Sequence, residues 1–214
     1  LSSFSDFTCM SFYGSHHMTT AGVGGGIGTN EKDLDEVARS IIFWGHDSRP
    51  EQSFSNRYSS QTIGSDFQMS SMQAAFGLAQ IEKVERFIAE RANQFKEIYS
   101  IFQEYDFFEL PVSHHKTKPS WFAFCLTVRE SAPFSRQDFV DYLTRHKVET
   151  RPLMNGNILN HEPFQKVESI TLDNGNFPVG DKIERNGLFI PCWGMPKNER
   201  DDYHGILKEF LMSQ

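Results

Sequence analysis

The sequence predicts an α/β fold, and three patterns along its 214 residues support that class. An apolar stretch at 7–12 is typical of a short strand, and a glycine-dense turn follows it at 21–28. A helical stripe of apolar residues covers 70–102. Beyond that stripe, strand and helix patterns alternate, as in a small α/β or α+β domain. We therefore predict two domains, which cover 1–105 and 106–214.

The composition and net charge indicate a globular protein and argue against several classes of partner. Hydrophobic residues make up 38% of the chain and charged residues 23%, which is typical of a globular protein with its own core. The net charge of −7 argues against nonspecific binding to nucleic acid or to an anionic membrane, and no apolar run approaches the roughly 20 residues of a membrane-spanning helix. Three widely spaced cysteines, Cys9, Cys125 and Cys192, favour free thiols in a reducing compartment, so we expect a cytoplasmic protein.

The predicted helices have recognisable starts. Asn30 is the expected N-cap of a helix that runs to about Phe43, and Ser135 opens a capping-box pattern for a helix that ends near His146. The stripe at 70–102 would extend for roughly 45 Å as one helix, with a break inside it as the alternative. The last helix is predicted from the apolar residues Tyr203, Ile206, Leu207, Phe210 and Leu211.

The predicted strands of the second domain are short, and they cover 121–128, 148–153 and 187–191. Asn157, in an asparagine–glycine–asparagine stretch, predicts a turn. In the first domain, residues 45–65 are polar and lack periodicity. A loop of that length inside a compact domain is usually functional or mobile.

Two histidine pairs and one glycine cluster are candidate sites on residue type alone. The glycines at 22–28 fit neither a dinucleotide-binding nor a P-loop pattern, and we interpret them as a tight turn. Adjacent residues of an extended chain point to opposite faces, so neither the pair at 16–17 nor the pair at 114–115 is predicted to hold a metal ion. His16 and His17 lie between the predicted buried strand and the glycine turn. That position is typical of a site residue, with a hydrogen-bonded structural histidine as the alternative.

Several collinear segments together resemble one family. They are Ser11–Thr20 with its glycine turn, Trp44–Asp47, Ile63–Met69 running into Met72–Gln80, and Thr150–Leu153 with Gly156 and Asn157. This set resembles the sugar aminotransferases of the DegT/DnrJ/EryC1/StrS family, within the aspartate aminotransferase superfamily. The resemblance implies the pyridoxal-phosphate (PLP) fold type I. The C-terminal part of a large domain and a linking helix would lie at 1–105, and the small α/β C-terminal domain at 106–214. Because family members carry a further N-terminal part, we expect a fragment of a longer product or a truncated domain.

The informative departure from the family is at position 16. Where family aminotransferases have the lysine that bonds covalently to PLP, this sequence has His16, and an imidazole cannot form a stable bond of that kind. The His-His-Met-Thr segment resembles the 3-dehydratase branch, which removes the C3 hydroxyl of 4-keto-6-deoxy sugar nucleotides with pyridoxamine phosphate (PMP). Histidine, with an unperturbed pKa of about 6.5, suits proton transfer at neutral pH. The resemblance therefore implies that His16 is the catalytic base.

The same resemblance implies two cofactor-binding residues. Ser11 would hydrogen-bond the cofactor phosphate, and Gln68 would reach the phosphate held by the neighbouring subunit of a homodimer. Two positions depart from the family pattern. Asp66 stands where members often have asparagine, and a carboxylate near a phosphate repels it. His46 replaces the usual arginine of the Trp-Gly stretch.

The cysteine positions separate two branches of the dehydratases. One branch binds an iron–sulfur cluster through cysteines after the Trp-Gly stretch, and residues 44–65 contain no cysteine. The sequence therefore resembles the cluster-free branch, which implies a nucleotide-sugar substrate and glutamate as amino donor in deoxysugar biosynthesis. Two alternatives stay open. One is a sugar-nucleotide aminotransferase relative with changed chemistry, and the other is an inactive dimerisation or binding module.

Overall fold

A computed structural model describes residues 4–46, 58–165 and 176–214. Its contacts group the chain into two compact units, Leu1–Glu85 and Arg86–Gln214. Most of the linking helix that we assigned to the first predicted domain belongs to the second unit, because its apolar side chains join the core there. The boundary at residue 105 stays a prediction about the domains of the whole protein.

The first unit contains one pair of strands and two helices. Its elements are β1 (Thr8–Ser11), β2 (Gly25–Gly28), α1 (Lys32–Ile42) and α2 (Ser71–Ile81). The two strands pair antiparallel, with Ser11 opposite Gly25. This confirms the predicted short strand, and it confirms the helix that was expected to end near Phe43.

Helix α1 begins one residue later than we predicted. Its N-cap is Glu31 rather than Asn30, and no side chain caps the helix. The Thr29 hydroxyl accepts a hydrogen bond from the Glu31 N–H at 3.1 Å, so this threonine forms the turn that leads into the helix. At the other end, Trp44 and Gly45 adopt positive φ angles of 52° and 75°, a left-handed conformation that ends helices.

The long predicted helix is two helices, α2 and α3 (Val84–Phe102), so the alternative with a break is the observed one. The Lys83 N–H donates to the Gln80 carbonyl at 2.9 Å, which makes a tighter turn between the two helices. Helix α2 opens with a capping box, in which Ser70 and Gln73 each bond the other's backbone N–H through a side-chain oxygen.

The second unit is built on an antiparallel sheet. Besides α3, it contains β3 (Phe108–Glu109), β4 (Phe124–Val128), α4 (Arg136–Arg145), β5 (Arg151–Pro152), α5 (Glu162–Gln165), α6 (Pro178–Asn186), β6 (Gly187–Ile190) and α7 (Lys197–Met212). The strand order is β3-β4-β6-β5, and every neighbouring pair is antiparallel. Of the two arrangements that the sequence left open for this part, the α+β one is observed. Strand β5 covers only two residues of its predicted range.

Strand β4 begins at Phe124, later than the sequence predicts, and a half-buried arginine explains the difference. The Arg91 Nη1 atom donates to the Phe122 carbonyl at 2.7 Å and to the Trp121 carbonyl at 3.3 Å. It also donates to the Cys192 carbonyl at 3.1 Å. Carbonyls that bond this guanidinium do not join the ladder, so the strand starts after them. Burial lowers the pKa of the Arg91 guanidinium.

The core of the second unit is aliphatic and aromatic. Its largest fully buried side chains are Phe102, Phe124, Phe139, Ile98, Leu126, Leu143, Leu188, Ile190, Leu207, Leu211 and Cys192. Full burial of one large apolar side chain stabilises a fold by roughly 1.5–3 kcal/mol. The core includes Leu207 and Phe210 from the predicted apolar face of α7, which is thereby confirmed. Helix α4 is also confirmed, because Ser135 and Asp138 form its capping box.

The first unit contrasts with this core. Over 4–46 and 58–85, no apolar side chain is buried. The prediction of a buried β1 is therefore wrong: Cys9, Met10 and Ser11 are exposed, because within the described chain this strand pairs with β2 alone. None of the described helices combines the length and the apolarity that crossing a bilayer requires.

Candidate active site

The connection between β1 and β2 folds back on itself. The Phe12 N–H donates to the Gly24 carbonyl at 2.9 Å, and the Gly14 N–H donates to the Gly22 carbonyl at 3.0 Å. Gly22 and Gly24 have φ angles of 102° and 136°, which favour glycine. The glycine cluster is therefore the tight turn that we predicted. It closes the base of a loop that contains His16.

His16 lies half-buried in this loop. Its N–H donates to the Tyr13 carbonyl at 3.0 Å, which makes a turn just before the histidine pair. The imidazole meets the Tyr13 ring edge-on, with 6.2 Å between ring centroids. Although the residue as a whole is half-buried, the Nδ1 atom of its ring is shielded from solvent.

Ser11 ends β1 and is exposed. Its Oγ accepts a hydrogen bond from the Tyr13 N–H at 3.3 Å. A hydroxyl that accepts one bond can still donate its own hydrogen, and phosphate oxygens accept such bonds. No lysine occurs from Phe4 to Glu31. Ser11 can therefore donate a hydrogen bond to a phosphate oxygen beside a segment that contains no lysine.

The segment that leads to Gln68 is held along the end of α1. The Trp44 N–H donates to the Ser65 carbonyl at 3.1 Å, and the Ser65 N–H donates back to the Ile41 carbonyl at 2.8 Å. The Phe67 N–H donates to the Ile42 carbonyl at 3.1 Å. These bonds fix the backbone immediately before the predicted cofactor-binding glutamine.

Gln68 is exposed, and its side-chain amide can donate to a phosphate. The Asp66 carboxylate faces its own backbone, because its Oδ1 lies 3.5 Å from the Gln68 nitrogen. Gln68 precedes Met69, whose Cε would lie 2.9 Å from a Cβ added to Gly24. The structure thus brings the Gln68 segment beside the glycine turn of the same chain.

The Trp-Gly stretch forms an aromatic cluster. The His46 ring lies 5.3 Å from the ring of Phe43, 5.9 Å from that of Trp44 and 6.3 Å from that of Tyr58. Gly45 is required here, since a Cβ would lie 1.8 Å from the Thr62 carbonyl oxygen. The expected role of this stretch as a family signature also involves Asp47, which lies outside the described residues.

The sequence analysis did not anticipate that the polar residues Thr20 and Asn157 are buried. Thr20 is 2% exposed and Asn157 is 7% exposed. Asn157 does more than form the predicted turn, because its Nδ2 donates to Asp181 Oδ1 at 2.7 Å and its N–H donates to Glu184 Oε2 at 3.3 Å. Both contacts reach α6 across more than twenty residues of sequence, so no local pattern signals them. By contrast, Arg151 is exposed and pairs with Glu149, two residues before it.

The other candidate sites in the described residues, namely a surface cleft and a histidine pair, lack the features of a catalytic or metal site. A surface cleft of about 830 Å³ lies between α4 and the end of α7, and its lining includes Asp138, Asp141 and Arg145 but no histidine or cysteine. The histidines at 114–115 are exposed on a loop. Within the part of the chain that the structure describes, no three histidine, cysteine or acidic side chains are grouped to hold a metal ion.

The fold defines the class of protein. The structure of an E. coli GDP-4-keto-6-deoxy-D-mannose-3-dehydratase with bound hydrated PLP matches 97% of this chain with a TM-score of 0.85 and 22% identity, over 56% of that chain. This confirms the predicted PLP fold type I of aminotransferase-like enzymes.

The sequence then identifies the family. Residues 1–207 match the DegT/DnrJ/EryC1/StrS aminotransferase family, and the chain belongs to it. The lipopolysaccharide biosynthesis protein RfbH of Salmonella typhimurium is 32% identical over 221 residues, which are 94% of this chain and 50% of that protein. A dTDP-4-dehydro-2,6-dideoxy-D-glucose 3-dehydratase of Saccharopolyspora spinosa is 29% identical over 183 residues, 77% of this chain and 39% of that protein. The chain spans half or less of the length of these two relatives.

Proposed function

We propose that the protein containing this chain is a PMP-dependent 3-dehydratase, which removes the C3 hydroxyl of a 4-keto-6-deoxy sugar nucleotide in deoxysugar biosynthesis. One observation carries the proposal. His16 occupies the half-buried loop after β1, in the segment that resembles the family's cofactor-lysine segment, and no lysine is available from Phe4 to Glu31. A chain of this family without that lysine cannot form the covalent bond to the cofactor.

The residues of the loop have separate roles in this proposal. When bound, the cofactor supplies an amine for the sugar ketone and a ring that accepts electrons. Ser11 donates its hydroxyl hydrogen to the phosphate and so orients the cofactor. His16 accepts a proton at an imidazole nitrogen and returns it to the departing C3 oxygen, which then leaves as water.

We also propose a homodimer with glutamate as amino donor. The exposed Gln68 amide suits the phosphate of a second subunit, and Asp66 does not oppose that contact while it faces its own backbone. Glutamate would return the amine to the cofactor and supply the two electrons that the lost C3 oxygen requires. For each sugar converted, one glutamate is oxidised to 2-oxoglutarate and one ammonia is released.

The reaction is tested on the intact gene product with PLP, glutamate, and GDP-linked or dTDP-linked 4-keto-6-deoxyhexose. We expect a sugar nucleotide that has lost one oxygen atom by mass spectrometry, with ammonia released in step. A 4-amino sugar without deoxygenation would show an aminotransferase relative instead. No turnover of either sugar nucleotide by a protein that binds the cofactor would favour the binding-module alternative.

The role of His16 is tested by His16→Asn, which keeps a polar side chain but removes the basic imidazole. We expect kcat to fall by at least about a hundredfold, within the range of general acid–base catalysis, while cofactor absorbance shows that binding is retained. The matched control is His115→Asn, which changes an exposed loop histidine and leaves kcat unaltered. Wild-type kcat in the His16 variant would refute the assignment.

A further inference from the structure

Thr20 is buried in a unit that buries almost nothing else. Among the described residues of 4–46 and 58–85, it is the one residue with a buried side chain, because the other two buried positions are Gly45 and Gly77. Its Oγ1 donates to the Val23 carbonyl at 2.5 Å, and its N–H donates to the Phe12 carbonyl at 3.2 Å. Thr20 therefore bonds both the strand end before the His16 loop and the glycine turn after it.

Two glycines make the space for this side chain. A Cβ at Gly24 would lie 2.2 Å from Thr20 Oγ1, so the hydroxyl side of the threonine is packed against the turn. A Cβ at Gly77 would lie 2.8 Å from Thr20 Cγ2, so the methyl group is packed against α2. Gly77 is the only buried residue of that helix. The threonine thus contacts the loop that carries His16 and the helix that follows Gln68.

We propose that Thr20 is a positioning residue, which holds the His16 loop against α2 and thereby sets the place of the imidazole. The idea rests on the function proposed above, and it adds a residue to that site. The loop from Phe12 to Thr20 closes on a backbone bond between those two residues. The hydroxyl fixes the loop to the glycine turn, and the methyl group fixes it to the helix. Thr20 lies only four residues after His16. A shift of either contact therefore moves this end of the loop, and the imidazole with it.

The test compares two substitutions at Thr20. Thr20→Val keeps the size and the methyl group but leaves the Val23 carbonyl without its hydroxyl donor. We expect it to lower kcat by about tenfold or more, since small displacements of catalytic groups are costly, with less than a twofold change in KM for the sugar nucleotide. Thr20→Ser keeps the hydroxyl but loses the methyl group that packs against Gly77, so its kcat is expected to lie between those of Thr20→Val and the wild type.

A second readout does not depend on turnover. In the intact protein with ¹³C-labelled histidine and bound cofactor, the His16 ring resonance is expected to shift in Thr20→Val and to return towards its wild-type position in Thr20→Ser. Gly77→Ala places a methyl group on α2 that displaces the methyl group of Thr20, so it should shift the same resonance. This variant provides the test if Thr20→Val does not fold. Ser135→Ala, which removes the cap of α4, is the control for a loss of stability alone and should leave the resonance unchanged.

The outcomes separate this proposal from the function. An unmoved His16 resonance together with wild-type kcat in both Thr20→Val and Gly77→Ala would overturn the positioning role, while the dehydratase assignment would stand. Wild-type kcat in His16→Asn would overturn the assignment instead. A shifted resonance in the Thr20 variants would still show that the threonine positions the loop.

Discussion

At the scale of single residues, the three cysteines differ in how deeply they are buried. Cys9 is exposed on β1, Cys125 is partly buried and Cys192 is buried. The Cys192 Sγ donates to the Arg91 carbonyl at 3.6 Å, and burial raises the pKa of its thiol to about 12. Burial also raises the pKa of the Cys125 thiol. Because the thiolate is the reactive form, Cys192 should be inert while the protein is folded.

We predict that iodoacetamide at pH 8 alkylates Cys9 in the folded protein and leaves Cys192 unmodified until denaturant is added. Peptide mapping by mass spectrometry after timed quenching measures both rates. Because the pKa of Cys192 is raised above the ordinary thiol value of 9.0, its thiol stabilises the folded state at pH values below 9.0. That contribution is lost as pH rises from 9.0 towards about 12, because the unfolded chain ionises first. Equal alkylation rates for Cys9 and Cys192 in the folded protein would contradict this account.

At the scale of elements, the turn at 155–157 is held against α6 by polar contacts rather than by apolar packing. Gly156 has a φ of 58°, and a Cβ there would lie 2.6 Å from the Glu184 Cα on that helix. Asn160 Nδ2 donates to Glu184 Oε2 at 2.7 Å, which fixes the same carboxylate that Asn157 bonds. The turn can therefore pack this closely against α6 only with glycine at position 156.

We predict that Gly156→Ala destabilises the protein by more than about 1 kcal/mol, since alanine is strained at positive φ and would meet helix backbone. Gly205→Ala is the matched control. Gly205 lies inside α7 with nothing within 4 Å of an added Cβ, and alanine there should stabilise by roughly 0.4–1 kcal/mol. Urea unfolding followed by circular dichroism measures both changes. Similar free energies of unfolding for the two variants would contradict the difference between the sites.

At the scale of the whole molecule, the two units differ in how much apolar surface they bury. The core cluster comes entirely from residues after Glu85. The described residues before it leave large apolar side chains exposed on every element, among them Met10, Ile27, Val37 and Leu78. Local stability depends on buried apolar contacts, so the units should differ in how readily they open.

We predict that amide hydrogens of β1, β2 and α1 exchange faster than those of β4, β6 and α7 when this chain is studied alone. Hydrogen exchange with mass spectrometry at neutral pH measures both sets in one sample. The sheet of the second unit is the internal reference, since its strands β4 and β6 are mostly buried. Equal protection of the two sets would show that the exposed side chains of the first unit do not weaken it.

The sequence by itself determined the features that depend on local pattern. The capping box at Ser135, the apolar face of α7 and the glycine turn each depend on residues that are close together in the sequence. Tertiary structure decided the features that depend on distant residues. The start of β4 is set by Arg91, thirty residues away, and the exposure of β1 by the lack of a second paired strand in the described chain. The burial of Thr20 required Gly77 on another element, and no periodicity records a contact of that range.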